Sequence, residues 1–156
     1  MTEDARFEDG REASLHLKAL EGDDLPIISA LSQDAVFPAS EMTWRKSERR
    51  FAVLLNRFRW EEDQKSGHTP ERVQSLLIID EAEAVSSQGI ERGDADMVLS
   101  LLSVEFEPGE DGTGRVVLTL AGDGAIAVTV EALDITLKDV TKPYIAPSKS
   151  VPRHPE

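Results

Sequence analysis

Within WRKSERRFAVLLNRFRW, residues 44–60, six cations and four of the chain's eight aromatic residues stand beside one acid, Glu48. Six positive charges less one leave +5, in a chain whose formal net charge is −13, so the remainder carries −18. Read as a strand, Phe51, Val53 and Leu55 share one side with Arg57 and Arg59. Those two arginines then stand about 6.5–7 Å apart along the strand, which suits the gripping of one anionic group or of partner carboxylates. Arg49 and Trp60 extend the same candidate surface. Guanidiniums beside stacking rings also suit single-stranded nucleic acid. A field of −13 opposes that partner and anionic membranes at long range, so nucleic acid is not expected. The plain alternative is internal pairing: the cations neutralise the protein's own acids and the rings fill the core.

Other chemistry is thinly represented. The three histidines, His16, His68 and His154, show neither helical metal spacing nor an HExxH motif. No GxSxG elbow is present for a serine nucleophile. There is no cysteine, which excludes disulfides, zinc–thiolate sites and thiol catalysis, and fits a reducing compartment. GEDGTG and AGDG lack phosphate-cradling spacing and lead into strand patterns, as hairpin turns do. Glu107, Glu110 and Asp111, or Asp94 and Asp96, offer oxygens to a cation, but neither group has the spacing of an EF-hand loop. Solvated loop charge explains both, and no metal or cofactor is expected. Glu81 and Glu83 have the i, i+2 spacing for acid–base work on one strand face. Gln33, Asp34, Asn56 and Gln88 border apolar runs and are candidates to converge on a pocket. Helix ends, strand edges and turns account for each of them separately.

The elements that must position these residues follow from periodicity. Residues 1–13 read as a mobile acidic arm, and SLHLKAL (14–20) as a short strand. A helix is predicted over 24–36, capped by Asp23 or Asp24, with Pro26 in its first turn and Ile28, Leu31 and Ala35 on one face. Pro38 should end it. Strands then dominate: two around a turn at Lys46–Arg49, a polar loop over 61–71, and an apolar run with a weaker strand ending near Gly89. VLSLLSVEFEP and RVVLTL follow as a hairpin through GEDGTG, and AGDG turns the chain into AIAVTVEALDITLKDV. The last fourteen residues, rich in proline, read as an extended tail, leaving residues 14–142 as a single domain.

In AIAVTVEALDITLKDV the apolar phase changes: Ile126, Val128 and Val130 are even, Leu133, Ile135 and Leu137 odd. On a helix Ile135 would point away from Leu133 and Leu137. A β-bulge at Ala132–Leu133 keeps both halves on one core and bends the strand, with a strand-to-helix change as the alternative. The fold class expected is α+β: one early helix and a mostly antiparallel, curved sheet or half-barrel of about seven strands.

Several blocks, among them LKALEGDDLPIISALSQDAV, RRFAVLLNRFRWE, SSQGIER, VLSLLSVEFEPG and the terminal PRHPE, resemble an uncharacterised, mostly alphaproteobacterial family known as domain of unknown function 2948. The resemblance spans roughly residues 14–156 and implies a small bacterial cytoplasmic protein, with no reaction attached. No apolar run is long enough for a membrane span or a secretory leader, which also points to the cytoplasm. The leading expectation is a non-catalytic binding or adaptor module. It would engage a protein partner or an anionic small molecule through the hairpin 44–60, at Arg49, Asn56, Arg57, Arg59 and Trp60. Gln33 and Gln88 are further candidates, and a homodimer through an exposed sheet edge is a possible assembly. The alternative is a small enzyme with a carboxylate-containing pocket at the mouth of the sheet.

Overall fold

The computed structural model describes residues 14–59, 71–91, 93–141 and 144–145. The expected arm 1–13, all of the expected loop 61–71 except Glu71, which opens a strand instead, Trp60, His68, His154 and nearly all of the proline-rich tail lie outside them.

The described residues form eleven strands and one α-helix: β1 (His16–Ala19), α1 (Leu25–Ser32), β2 (Val36–Pro38), β3 (Met42–Arg45), β4 (Arg50–Phe58), β5 (Glu71–Asp80), β6 (Ala82–Gln88), β7 (Val98–Pro108), β8 (Gly114–Leu120), β9 (Ala125–Val130), β10 (Ile135–Asp139) and β11 (Tyr144–Ile145). Nine of them run in the order β1-β10-β5-β4-β2-β7-β8-β9-β6, with β3 beside β4 and β11 beside β5. The pairings are antiparallel, and the sheet is open, ending at β1 and β6. The class expected from sequence is found, but about seven strands was too few. Two- to four-residue strands such as β2 and β11 are too short to show a period-2 pattern.

The helix is shorter than the predicted 24–36. Pro26 sits in its first turn, and Leu25, Ile28 and Ser32 face the core. Asp23 and Asp24 do not cap it. They belong to a 3-10 turn over Gly22–Asp24, and Asp24 makes no side-chain capping bond. Gln33 already has extended backbone, and Asp34 is left-handed at φ 67°. The chain then pairs as β2, Val36 meeting both Asn56 of β4 and Ser100 of β7. Sheet pairing of two β-branched and aromatic residues, Val36 and Phe37, overrides the helical spacing of Ala35.

The phase change marks a corner. Ile79 pairs with Ile135, and the Asp80 N–H donates to the Asp134 carbonyl. On the far side the Glu131 N–H donates to the Glu81 carbonyl, and Ala82 pairs with Val130. Ala132 and Leu133 are therefore surplus to the ladder, a two-residue bulge where one extra residue was expected, and it interrupts the strand: the single bulged strand expected there is β9 and β10, parted by residues 131–134. Glu81, left-handed at φ 59°, makes the matching bend in the neighbouring strand. Ile79 and Ala82, Val130 and Leu133, all stay inward, so one core is continuous through the bend. The stretch is not helical.

Candidate functional site

Strand parity places Arg57 behind Phe51, Val53 and Leu55, and all four side chains are buried. Arg57 is 0 % exposed. Its Nη2 lies 2.9 Å from Asp139 Oδ1 and 3.2 Å from Oδ2, and its Nε donates to Ser75 Oγ at 2.9 Å. Nη1 donates to the Phe58 carbonyl at 3.0 Å, and Ser75 Oγ donates to Asp139 Oδ1 at 2.7 Å. The Leu15 N–H donates to Asp139 Oδ2 at 2.9 Å and ties the first residues before β1 into the same cluster. A buried charge demands this density of partners. Arg59 is also buried, with Nη1 2.6 Å from Glu71 Oε1. The open pair of guanidiniums expected at 57 and 59 is corrected on this point: both are covered, Arg57 on the buried face of β4 and Arg59, one residue past the end of that strand, against Glu71.

Three further arginines of the basic hairpin are also engaged. Arg50 Nε lies 2.7 Å from Asp80 Oδ1, a hydrogen bond that, with the charge of Asp80, raises the guanidinium pKa above its ordinary value. Arg49 reaches both Glu81, at 3.4 Å, and Glu131, and its carbonyl accepts from the Ala82 N–H, so it clamps the corner. Arg45 pairs with Glu48. Asn56 is half-buried on the opposite face of β4, and its carbonyl accepts from Arg72 Nη1. Arg72 in turn lies 3.9 Å over the Phe58 ring. Internal pairing of the surplus charge, the plain alternative above, describes these contacts. Among the described residues, no three histidines or carboxylates are placed to share a metal ion.

Gln33 and Gln88 are not brought together. Gln88 ends β6 and is exposed, opposite Ala125. Gln33 lines a groove between α1 and β7, with a cavity volume of about 510 Å³. Gly22, Leu25, Pro26, Ser29 and Ala30 form one wall, Leu102 to Phe106 the other. The helix is fastened to this wall by Ser29, whose Oγ accepts from the Val104 N–H at 2.9 Å.

The groove exists because β7 outruns its neighbour. β2 covers β7 at Val98–Ser100, and the Asp34 N–H and Ala35 carbonyl bond Leu101. Beyond that point one edge of β7 has no strand beside it among the described residues. Its other edge pairs with β8, and the Gly109 N–H donates to the Thr113 carbonyl. Alternation of an antiparallel ladder then turns the amides of Glu105 and Glu107 toward β8 and those of Val104 and Phe106 toward the groove. Ser29 takes the Val104 N–H, and the Phe106 N–H and carbonyl face the open side.

The Phe106 ring lies over Gly114, where a Cβ would come within 2.6 Å of it. The missing side chain is what lets the ring lie flat against the strand. Sequence reasoning reached Gln33 but not Phe106, Ser29 or the open edge. Phe106 shows only as one apolar residue in a regular alternation.

A family model described as "Protein of unknown function (DUF2948)" matches residues 15–154, and the chain belongs to that family. No curated protein and no solved structure matches it. No helix among the described residues is long and apolar enough to cross a membrane.

Proposed function

We propose that this member of the DUF2948 family is a non-catalytic binding module that receives an extended segment of a partner protein in the α1–β7 groove. The observation that carries this reading is the Phe106 main chain, which offers one donor and one acceptor to the side of β7 that no described strand covers. An added strand satisfies such groups and gains affinity from them, while a side-chain pocket supplies selectivity. Leu25, Pro26, Leu102 and the Phe106 ring make that pocket apolar. Its surroundings are acidic: Glu105 lines it, and exposed Glu21, Asp23 and Asp24 flank Gly22 at one end. The favoured segment therefore has an apolar side chain flanked by lysine or arginine.

The hairpin 44–60 is not the surface preferred here, because its described arginines pair with Glu48, Asp80, Glu81, Glu131, Asp139 and Glu71. The enzyme alternative has less support. Among the described residues Glu105 is the one carboxylate of the groove lining, and none of them there is a histidine, lysine or arginine that would complete an acid–base pair.

A phage-displayed library of random decapeptides, selected on the purified protein, tests the reading. Enriched peptides should pair an apolar residue with a nearby cation, and should bind the Phe106→Asp variant at least about tenfold more weakly. Equal binding to a folded Phe106→Asp variant would overturn it.

A further inference from the structure

The other uncovered edge of consequence is β6. Edge strands in soluble proteins are usually short, charged or interrupted by proline. β1, at the far end of the sheet, follows that rule: four residues including His16 and Lys18. β6 follows it only at its start, where Glu83 is surplus in a second bulge between Ala82 and Ala84. From Ala84 to Gln88 it reads AVSSQ, five residues without a charge in a chain that is 30 % charged. All except the half-buried Val85 are exposed.

The direction of its free amides follows from the neighbouring ladder. The Leu120 N–H donates to the Gly124 carbonyl, so even-numbered residues of β9 turn their amides toward β8. Ala125, Ala127 and Thr129 then bond β6, at Gln88, Ser86 and Ala84. Val85 and Ser87 are left with N–H and carbonyl directed away from the sheet, two residues apart and centred on Ser86. Among the described residues no strand pairs with them there.

We propose that β6 is a self-association surface, with the β6 edge of a second copy as its partner. Placed antiparallel about a two-fold axis at Ser86, Val85 of each copy faces Ser87 of the other. This completes about four main-chain hydrogen bonds and makes one sheet across both molecules. A strand edge with an odd, symmetric pair of exposed amides is complementary to itself. Charge selects the same region: two chains of −13 repel each other, and AVSSQ is a stretch where they meet without opposing carboxylates. Dimerisation should therefore strengthen as salt screens the rest of the surface.

The lack of cysteine in the chain gives a direct test. In the proposed pairing Ser86 faces its own copy as a non-hydrogen-bonded pair, with Cα atoms about 4.5 Å apart. That is within the range a disulfide spans, about 4.4–6.8 Å. Under mild oxidation the Ser86→Cys protein should form a covalent dimer at least about tenfold faster than Thr43→Cys, an exposed position on β3. In sedimentation the unmodified protein should show a dimer fraction that rises with protein and salt concentration. Ser87→Pro, which removes an outward N–H and leaves the β9 ladder intact, should abolish that dimer. Equal cross-linking at 86 and 43, a monomer at every concentration, or a dimer unaffected by a folded Ser87→Pro variant overturns the proposal.

Discussion

Arg57 and Asp139, 82 residues apart in sequence, meet at 2.9 Å with side chains 0 % and 2 % exposed. The pair joins the end of β4 to the end of β10 across β5, whose Ser75 bonds both partners. Its energetic character is set by burial. Two charges withdrawn from water gain little net stability while paired, but removal of one strands the other. Arg57→Met should therefore lower unfolding free energy by about 3–5 kcal/mol in urea denaturation. Adding Asp139→Leu should recover part of that loss, since the stranded carboxylate is then gone. A loss below about 1 kcal/mol for Arg57→Met would contradict the buried pair.

Arg50 and Asp80 form a closer contact, 2.7 Å, and should matter far less. Arg50 is 49 % exposed, so water and salt screen the attraction even though the hydrogen bond raises the guanidinium pKa. Arg50→Ala is expected to change stability by no more than about 1 kcal/mol, and less at high salt. Urea titrations in low and high salt, run beside Arg57→Met, compare the two pairs directly.

How much of this was legible can be judged from the same residues. Period-2 alternation from Phe51 placed Arg57 on the correct face of β4, and the phase change located the bulge at Ala132–Leu133. Neither pattern names a partner. Alternation fixes which side a residue faces, but Asp139 becomes the counter-charge only through the pairing of β10 with β5. The open edge of β7 was hidden for the same reason. It depends on β2 being three residues long, a length set by Asp34 turning left-handed and by the 3-10 turn at Ala39–Glu41. The helix prediction failed at its C-terminal end because Ala35 suits either structure, and the sheet neighbours of Val36 and Phe37 decided between them.

The corner makes a sharper prediction. Leu133 is 6 % exposed and packs in the core, while Ala132, its partner in the bulge, is exposed. Leu133→Ala should cost about 2–5 kcal/mol, as other buried leucines do. Ala132→Ser should stay within about 0.5 kcal/mol. Thermal and urea unfolding of both variants would test whether the bulge is held by Leu133. Similar losses for the two would mean that the bend, not the buried side chain, is what the pair supplies.

Gly114 links stability to the groove. A Cβ there would lie 2.4 Å from the Glu107 carbonyl oxygen and 2.6 Å from the Phe106 ring. Real Cβ atoms do not approach backbone oxygens so closely, so Gly114→Ala must push β8 and the ring apart. Displacement of the ring toward Gly22, whose own added Cβ would be 4.0 Å from Phe106 Cδ2, carries it into the groove. That movement narrows the cavity between α1 and β7. Gly114→Ala should therefore lower stability by about 1–3 kcal/mol, the range for overpacking. It should also weaken any peptide selected on the groove. Gly112→Ala is the control, with a left-handed backbone at φ 84° but open space around its added Cβ. It should reduce stability through backbone strain and leave peptide affinity unchanged. Binding measured by fluorescence anisotropy on both variants separates the two effects. Equal affinity for Gly114→Ala and Gly112→Ala would detach Phe106 from recognition.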